Sequence, residues 1–268
     1  MRLPNQITMH HGPQMLLARS IFAIDELAEK KGAILEITTD LERVQEINRR
    51  NESSWSPIMP NLLMPGETFW IIGNDLDGEP AVTMGCRRYN IERGSLTEIL
   101  ADLSFFYATI HPDLDEKIEL LTVVPDYIAG QVAYVGGMWT RPDFRRRGLS
   151  AIMTRIVHAI CLGVWNTDHA ISLVRPDLPD GVLSAYGYRN TAAGFRWHGV
   201  QKESRARMRM IWSDKTGLIS DLESYLDHAV AELQGNTLAT GFTKTPDRVD
   251  SFAARPFETK RQQNAVVV

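Results

Sequence analysis

The chain has 268 residues, 44% of them hydrophobic, enough to bury a substantial core as one large domain or two small ones. Its 29 basic and 33 acidic residues leave a formal charge of -4, so no global basic field exists to hold a polyanion, and any anion site has to be local. Two cysteines, Cys86 and Cys161, without CxxC or histidine partners, argue against a disulfide framework or a structural zinc, and no metal site is expected. No run reaches the ~18 apolar residues of a membrane span, and the first residues carry no apolar signal core. The expectation is a cytoplasmic protein without membrane or nucleic-acid partners.

Residues 1–32 read as an N-terminal arm with one possible helix over "PQMLLARSIFAIDELAEKKG". "AILEITT" has strand character, and Asp40 caps a helix whose Leu41, Val44 and Ile47 share one face. "TFWIIGNDLDGEPAVTMGCRRYNI" predicts a hairpin turning at Asp77-Gly78. Ser95 and Glu98 form a capping-box pattern ahead of a helix over "SLTEILADLSFFYATI", followed by an acid-rich connection. Next come a strand "VAYVGGMWT", a helix rich in Leu149, Ile152, Met153, Ile156, Val157 and Ile160, and a short strand "HAISLV". A short helix "DGVLSAYGYRN", two more strands and a helix over 214–236 capped by Ser213 or Asp214 complete the order. Residues 237–268 turn polar without periodicity and read as an extended or partly disordered tail.

The most informative stretch is "RPDFRRRGLS", where three arginines precede a glycine between a strand and an amphipathic helix. A solvated basic face would explain the charges but not Gly148. A nucleic-acid patch would need further basic and aromatic neighbours, which are missing. An anion cradle explains all of it, because a helix N-terminus offers unpartnered N–H groups and positive dipole charge, and Gly148 and the small Ser150 allow close approach.

With Arg145, Gly148 and Ser150 in the places of its Gln/Arg-x-x-Gly-x-Gly/Ala pattern, "MWTRPDFRRRGLSAIMTRIVHAIC" resembles the acetyl-CoA signature of the GNAT N-acetyltransferases. The alternation of elements fits that family over about residues 33–213. Serine at 150 departs from the pattern but remains small. The resemblance implies an α/β (α+β) fold: a mixed, mostly antiparallel sheet with splayed parallel strands in the middle and helices on both faces. It makes acetyl-CoA the co-substrate, with Arg145, Arg146, Arg147, Gly148, Leu149 and Ser150 on the pyrophosphate and the backbone of Met138, Trp139 and Thr140 along the pantetheine.

For the acid that protonates the leaving thiolate, the family often uses a tyrosine four residues before a Gly-Phe pair. Here Gly187-Tyr188 fills the pair, Leu183 stands in the tyrosine's place, and Tyr186 is the nearest phenol. Tyr186 is therefore the candidate acid, with packing or substrate contact as its alternative and Ser184 as a weaker substitute. Glu119 is the first candidate base, ahead of Asp126 and Tyr134, while His158 falls in the helix after the loop. Trp55, Met59, Met64 and Trp70 could wall an acceptor pocket or simply cover the core. The link from 94 to 130 is longer than the family's usual one and could form a lid or dimer surface.

The expected function is acetyl transfer to a small-molecule or peptide amine in a ternary complex, with a homodimer as a candidate assembly. A non-catalytic acyl-CoA-binding module and an acyltransferase using longer acyl-CoA or acyl carrier protein are the alternatives.

Overall fold

A computed structural model describes residues 3–199 and 207–235; the tail expected at 237–268 lies outside them. Eight strands form one sheet: β1 (Ile34–Thr38), β2 (Thr68–Asn74), β3 (Pro80–Ile91), β4 (Lys117–Leu120), β5 (Gly130–Thr140), β6 (His169–Val174), β7 (Asn190–His198) and β8 (Arg207–Asp214). Their spatial order is β1-β2-β3-β5-β6-β8-β7-β4, and every neighbouring pair is antiparallel except β5 and β6. This is a mixed α/β fold with a mostly antiparallel sheet and one central parallel pair, as the sequence leads one to expect.

Helices cover both faces. On one lie α1 (Gln14–Lys30), α4 (Leu149–Trp165) and α6 (Lys215–Leu233), whose Leu17, Ile21, Ile156, Ile160, Leu222 and Leu226 share a core with β3 residues Val82, Met84 and Cys86. On the other lie α2 (Leu41–Arg50), a 3-10 turn at Pro60–Leu63 and the short α3 (Leu96–Ala101), over a second core that includes Trp70, Phe105, Phe106 and Trp197. The remaining helix, α5 (Asp180–Ala185), follows β6.

Local rules account for most boundaries. Asp40 accepts from the Arg43 N–H at 3.0 Å to start α2, and Asp214 accepts from the Gly217 N–H at 2.7 Å to start α6. The β2–β3 hairpin turns where foreseen, with Gly78 at φ +83 and the Asp75 carboxylate accepting from the N–H groups of Asp77 and Glu79.

Three expectations are corrected. Residues 14–30 are no arm: Leu17, Ile24 and Leu27 are fully buried, because this helix and α6 together roof α4. The capping box at Ser95 does not form, since the Ser95 side chain makes no cap bond. The helix stops at Ala101, after which Leu103 takes φ +64 and turns Phe105 and Phe106 into the second core. The acid-rich link also contains β4, which adds an edge strand along β7 with Ile118 buried and Lys117 exposed.

Candidate active site at the open end of strand β5

Strand β5 has two different halves. From Val132 to Tyr134 it pairs with His169, Ala170 and Ile171 of β6. From Gly136 to Thr140 no β6 residue pairs with it, and Ser172, Leu173 and Val174 of β6 pair only with β8. The two strands therefore part after Tyr134. At the vertex, Ser172 donates its hydroxyl proton to the Val135 carbonyl at 2.5 Å, so the Tyr188 hydroxyl, 3.0 Å away, donates to Ser172. Burial pushes the Tyr188 phenol well above its ordinary value, so it stays protonated and can keep that bond.

A bulge in the open half decides where its side chains point. Thr83 stands opposite Trp139 and Gly85 opposite Gly136, so Gly137 and Met138 share the single partner Met84. The extra residue reverses the pleat. Ala133 and Val135 face the α4 layer, whereas Trp139, which strict alternation would send the same way, enters the opposite core. Gly137 has φ +64, and a Cβ there would lie 2.3 Å from the Trp70 ring, so only glycine fits against that buried indole.

The β5 chain runs straight into the loop. Arg141 N–H bonds the Ala81 carbonyl, and the Arg141 guanidinium spans Asp75 at 2.7 Å and Asp143 at 2.8 Å. Their hydrogen bonds to Arg141 hold both carboxyls below the usual range, so they stay ionised and are neutralised by it rather than facing the loop as bare charges. Arg145 Nε bonds the Thr140 carbonyl at 3.2 Å, tying the loop to the end of β5. Arg146 takes φ +64 and is exposed. Arg147 donates to the carbonyls of Lys31 and Asp143 and lies 4.0 Å over the Phe144 ring.

Gly148 is the N-cap of α4, with φ 76 and ψ 11 and no side chain to cap the helix. The N–H groups of Leu149 and Ser150 have no upstream carbonyl in their own helix. The nearest atom to a hypothetical Cβ on Gly148 is a Lys31 side-chain carbon at 4.0 Å. The glycine is thus required by its left-handed backbone and not by crowding from the chain, and the space before the helix is open. The loop accordingly fits an anion: uncapped donors, exposed Arg145, and Lys31 brought in from the end of α1 and held by Glu232 at 2.5 Å. Sequence reasoning missed Lys31, because only the docking of α1 onto α4 brings it there.

The other candidates are dispersed. Met138 packs half-buried on the α1/α4 side, while Trp139 is buried, stacked on Trp55 at 5.3 Å and bonded to Ser54, so its side chain is core. Trp55, Met59 and Trp70 are likewise buried in the second core, with Met64 half-buried, and so fill space that the sequence left open as a pocket wall.

Glu119 lies on β4, with β7, β8 and β6 between it and β5, about 19 Å at the usual strand spacing. It is half-buried and bonded to His198 at 3.0 Å and to Arg196 at 3.3 Å, and these hold its carboxyl below the usual range. It is not brought to the open end of β5. Asp126, on the turn at Val124–Tyr127, accepts from Thr97, and Tyr134 is buried in the second core.

Tyr186 caps the C-terminus of α5, two residues before Tyr188, and burial raises its phenol above its ordinary value. Leu183, in the place of the family's tyrosine, is buried. The segment is moored to α4 by Arg155, fully buried, which donates to the Ala185 carbonyl at 2.7 Å and pairs with Asp221 at 2.9 Å. His158, one turn further along α4, is also fully buried, edge-on to the Tyr188 ring at 4.9 Å. Neither of its ring nitrogens has a hydrogen-bond partner among the described residues, and burial pushes its pKa down to about 3.

Among the described residues no group of three or more His, Cys, Asp or Glu side chains could hold a metal ion, and no helix is long and apolar enough to cross a membrane.

No protein-family model matches the chain, and no curated protein matches it. Among solved structures, the chain is similar to Arabidopsis thaliana NAA60 in complex with acetyl-CoA, at 14% identity over 68% of this chain and 99% of that one, with a TM-score of 0.40. It is similar to Mycobacterium smegmatis RimJ in complex with CoA-disulfide at 10% identity, over 72% and 90% of the two chains, with a TM-score of 0.41. A third is the ribosomal-protein-S5-alanine acetyltransferase from Vibrio fischeri, at 10% identity over 68% and 93%, with a TM-score of 0.40. At these identities and scores the likeness assigns no activity to this chain.

Proposed function

We propose that the protein is an acetyl-CoA-dependent N-acetyltransferase of the GNAT type, acting on a small-molecule or peptide amine. The observation that carries this reading is the continuity of one strand and one loop. The unpaired edge of β5 from Gly136 to Thr140 leads directly to the uncapped N-terminus of α4 at Gly148. An elongated ligand with amide groups at one end and a pyrophosphate at the other matches both: the amides add to the open strand edge, and the phosphates meet the helix.

The N–H groups of Leu149 and Ser150, with Arg145, hold the pyrophosphate, and Lys31 stands beside them in its ion pair with Glu232. Arg147 shapes the loop through its two carbonyl contacts, and Arg146 serves through its backbone. Acetyl-CoA supplies the activated acyl group, and an amine in its neutral form attacks directly, so no nucleophilic side chain is needed. Tyr186 is the assigned proton donor, because it is the nearest phenol to the family's position and a phenol is protonated at neutral pH. Glu119 is not carried forward as the base, since its carboxylate is engaged by His198 and Arg196 at the far edge of the sheet.

Calorimetric titration with acetyl-CoA tests the coenzyme assignment. Gly148→Val puts a β-branched side chain at φ +76 before the phosphate donors, and a loss of about 100-fold in affinity is expected, about 2.7 kcal/mol. Unchanged affinity with the fold retained by circular dichroism would contradict the site. Leu183 in the acid's usual place favours one second reading, a module that binds acyl-CoA without transferring the acyl group. Release of free thiol with a panel of amines separates the two, because a binding module releases none.

A further inference from the structure

Helices α1 and α6 do not close against each other completely. They leave an open groove of about 520 Å³ on the outside of the helical layer, with Ala18, Phe22, Leu226, Val230 and Leu233 among its apolar lining and Arg19 and Glu26 along it. Phe22 is 59% exposed here and Met15, nearly two turns earlier on the same face, is 75% exposed. At 100° per residue, Met15, Arg19, Phe22 and Glu26 all fall within about 60° of one another around α1. Arg19 and Glu26 make no ion pair or hydrogen bond with any described residue, although both are charged and seven residues apart on this apolar face.

That arrangement is self-complementary. In a two-fold pairing, residue i of one copy meets residue j of the other and j meets i. If two α1 helices cross antiparallel with the axis between Phe22 and Ala23, Arg19 of each copy faces Glu26 of the other. Each charge is then paired once, and two ion pairs span the axis. The same axis brings Phe22 of each copy to the centre, opposite Ala23 in the partner's groove. A partner with a different sequence would have to supply the same opposite-charge spacing by coincidence, whereas a second copy supplies it by symmetry.

We infer that the α1/α6 groove is a two-fold interface with a second copy of this chain, centred on Phe22 and registered by Arg19–Glu26 pairs. The inference is independent of the acetyl-CoA site.

Sedimentation velocity on the full chain tests it. The wild type is expected at twice the chain mass at micromolar concentration. Phe22→Asp is expected to be monomeric with an unchanged circular dichroism spectrum, since an exposed side chain is replaced. Leu76→Asp, at another exposed apolar position, stays dimeric. Arg19→Glu is expected to weaken dimerisation at least tenfold, and adding Glu26→Arg to it restores the dimer by reversing both pairs. A wild type that stays monomeric up to about 100 μM overturns the inference, as does a double variant no better than the single one. A chain ending at 235 that dimerises when the full chain does not also overturns it, and assigns the groove to this chain's own C-terminal residues.

Discussion

The two halves of β5 lie in one continuous strand and are built differently, Val-Ala-Tyr-Val in the first and Gly-Gly-Met-Trp-Thr in the second. Between Val132 and Val135 the strand is walled by β3 and β6, its side chains alternate strictly between two cores, and nothing is left to bind. Between Gly136 and Thr140 the β6 partner is gone, a bulge has reversed the pleat, and the strand runs on to an uncapped helix. A ladder left incomplete inside a sheet is costly unless something else satisfies it; Thr83 and Arg145 bond the carbonyls of Gly137 and Thr140, and the proposed coenzyme would complete the rest.

The difference can be broken most severely at the bulge. Gly137→Ala drives a methyl group to 2.3 Å from the Trp70 ring at a left-handed φ. A loss of about 3 kcal/mol in unfolding free energy is expected, read as a lower urea midpoint at constant slope.

The vertex comes next. Ser172→Ala removes the bond to the Val135 carbonyl and leaves the Tyr188 hydroxyl buried without an acceptor, at an expected cost of about 2 kcal/mol. Tyr188→Phe keeps the Ser172–Val135 bond and should cost about 1 kcal/mol. If Ser172 sets where the strands part, Ser172→Ala also raises the KM for acetyl-CoA several-fold while Tyr188→Phe leaves it unchanged. Equal KM values in the two variants would deny Ser172 that role.

His158, packed on Tyr188, sharpens the comparison through pH. Its folded pKa of about 3 lies below the unfolded value near 6.5, so the unfolded chain binds the extra proton between them. Stability therefore falls as pH drops through that window, by about 1.4 kcal/mol per pH unit from this group. His158→Phe removes that contribution, and unfolding free energies measured between pH 4 and 6 should show a slope smaller by that amount. The smallest effect is expected far from the open strand: Glu119→Gln should leave turnover unchanged, and a large drop would reinstate Glu119 as a participant.

The loop was the most legible part of the chain, because its chemistry is local. Charge, glycine and helix start follow each other within ten residues, and Gly148 takes the positive φ that its position implies. The β2–β3 hairpin and the caps at Asp40 and Asp214 were legible for the same reason. Trp139 was not, since one bulge residue determines which core it enters. Neither was β4, a four-residue strand that exists only because β7 offers an edge to pair with.

By itself the sequence determined most of the strands and helices in their order, the caps at Asp40 and Asp214, and the left-handed turn at Gly148 before α4, since periodicity and backbone preference act over a few residues. Only the tertiary structure decided that α1 joins α6 over α4, that Lys31 reaches the loop, and that Glu119 is carried to the far edge of the sheet. Those outcomes depend on which strands pair and which faces are buried together, and pairing between distant segments leaves no mark in the local pattern of either one.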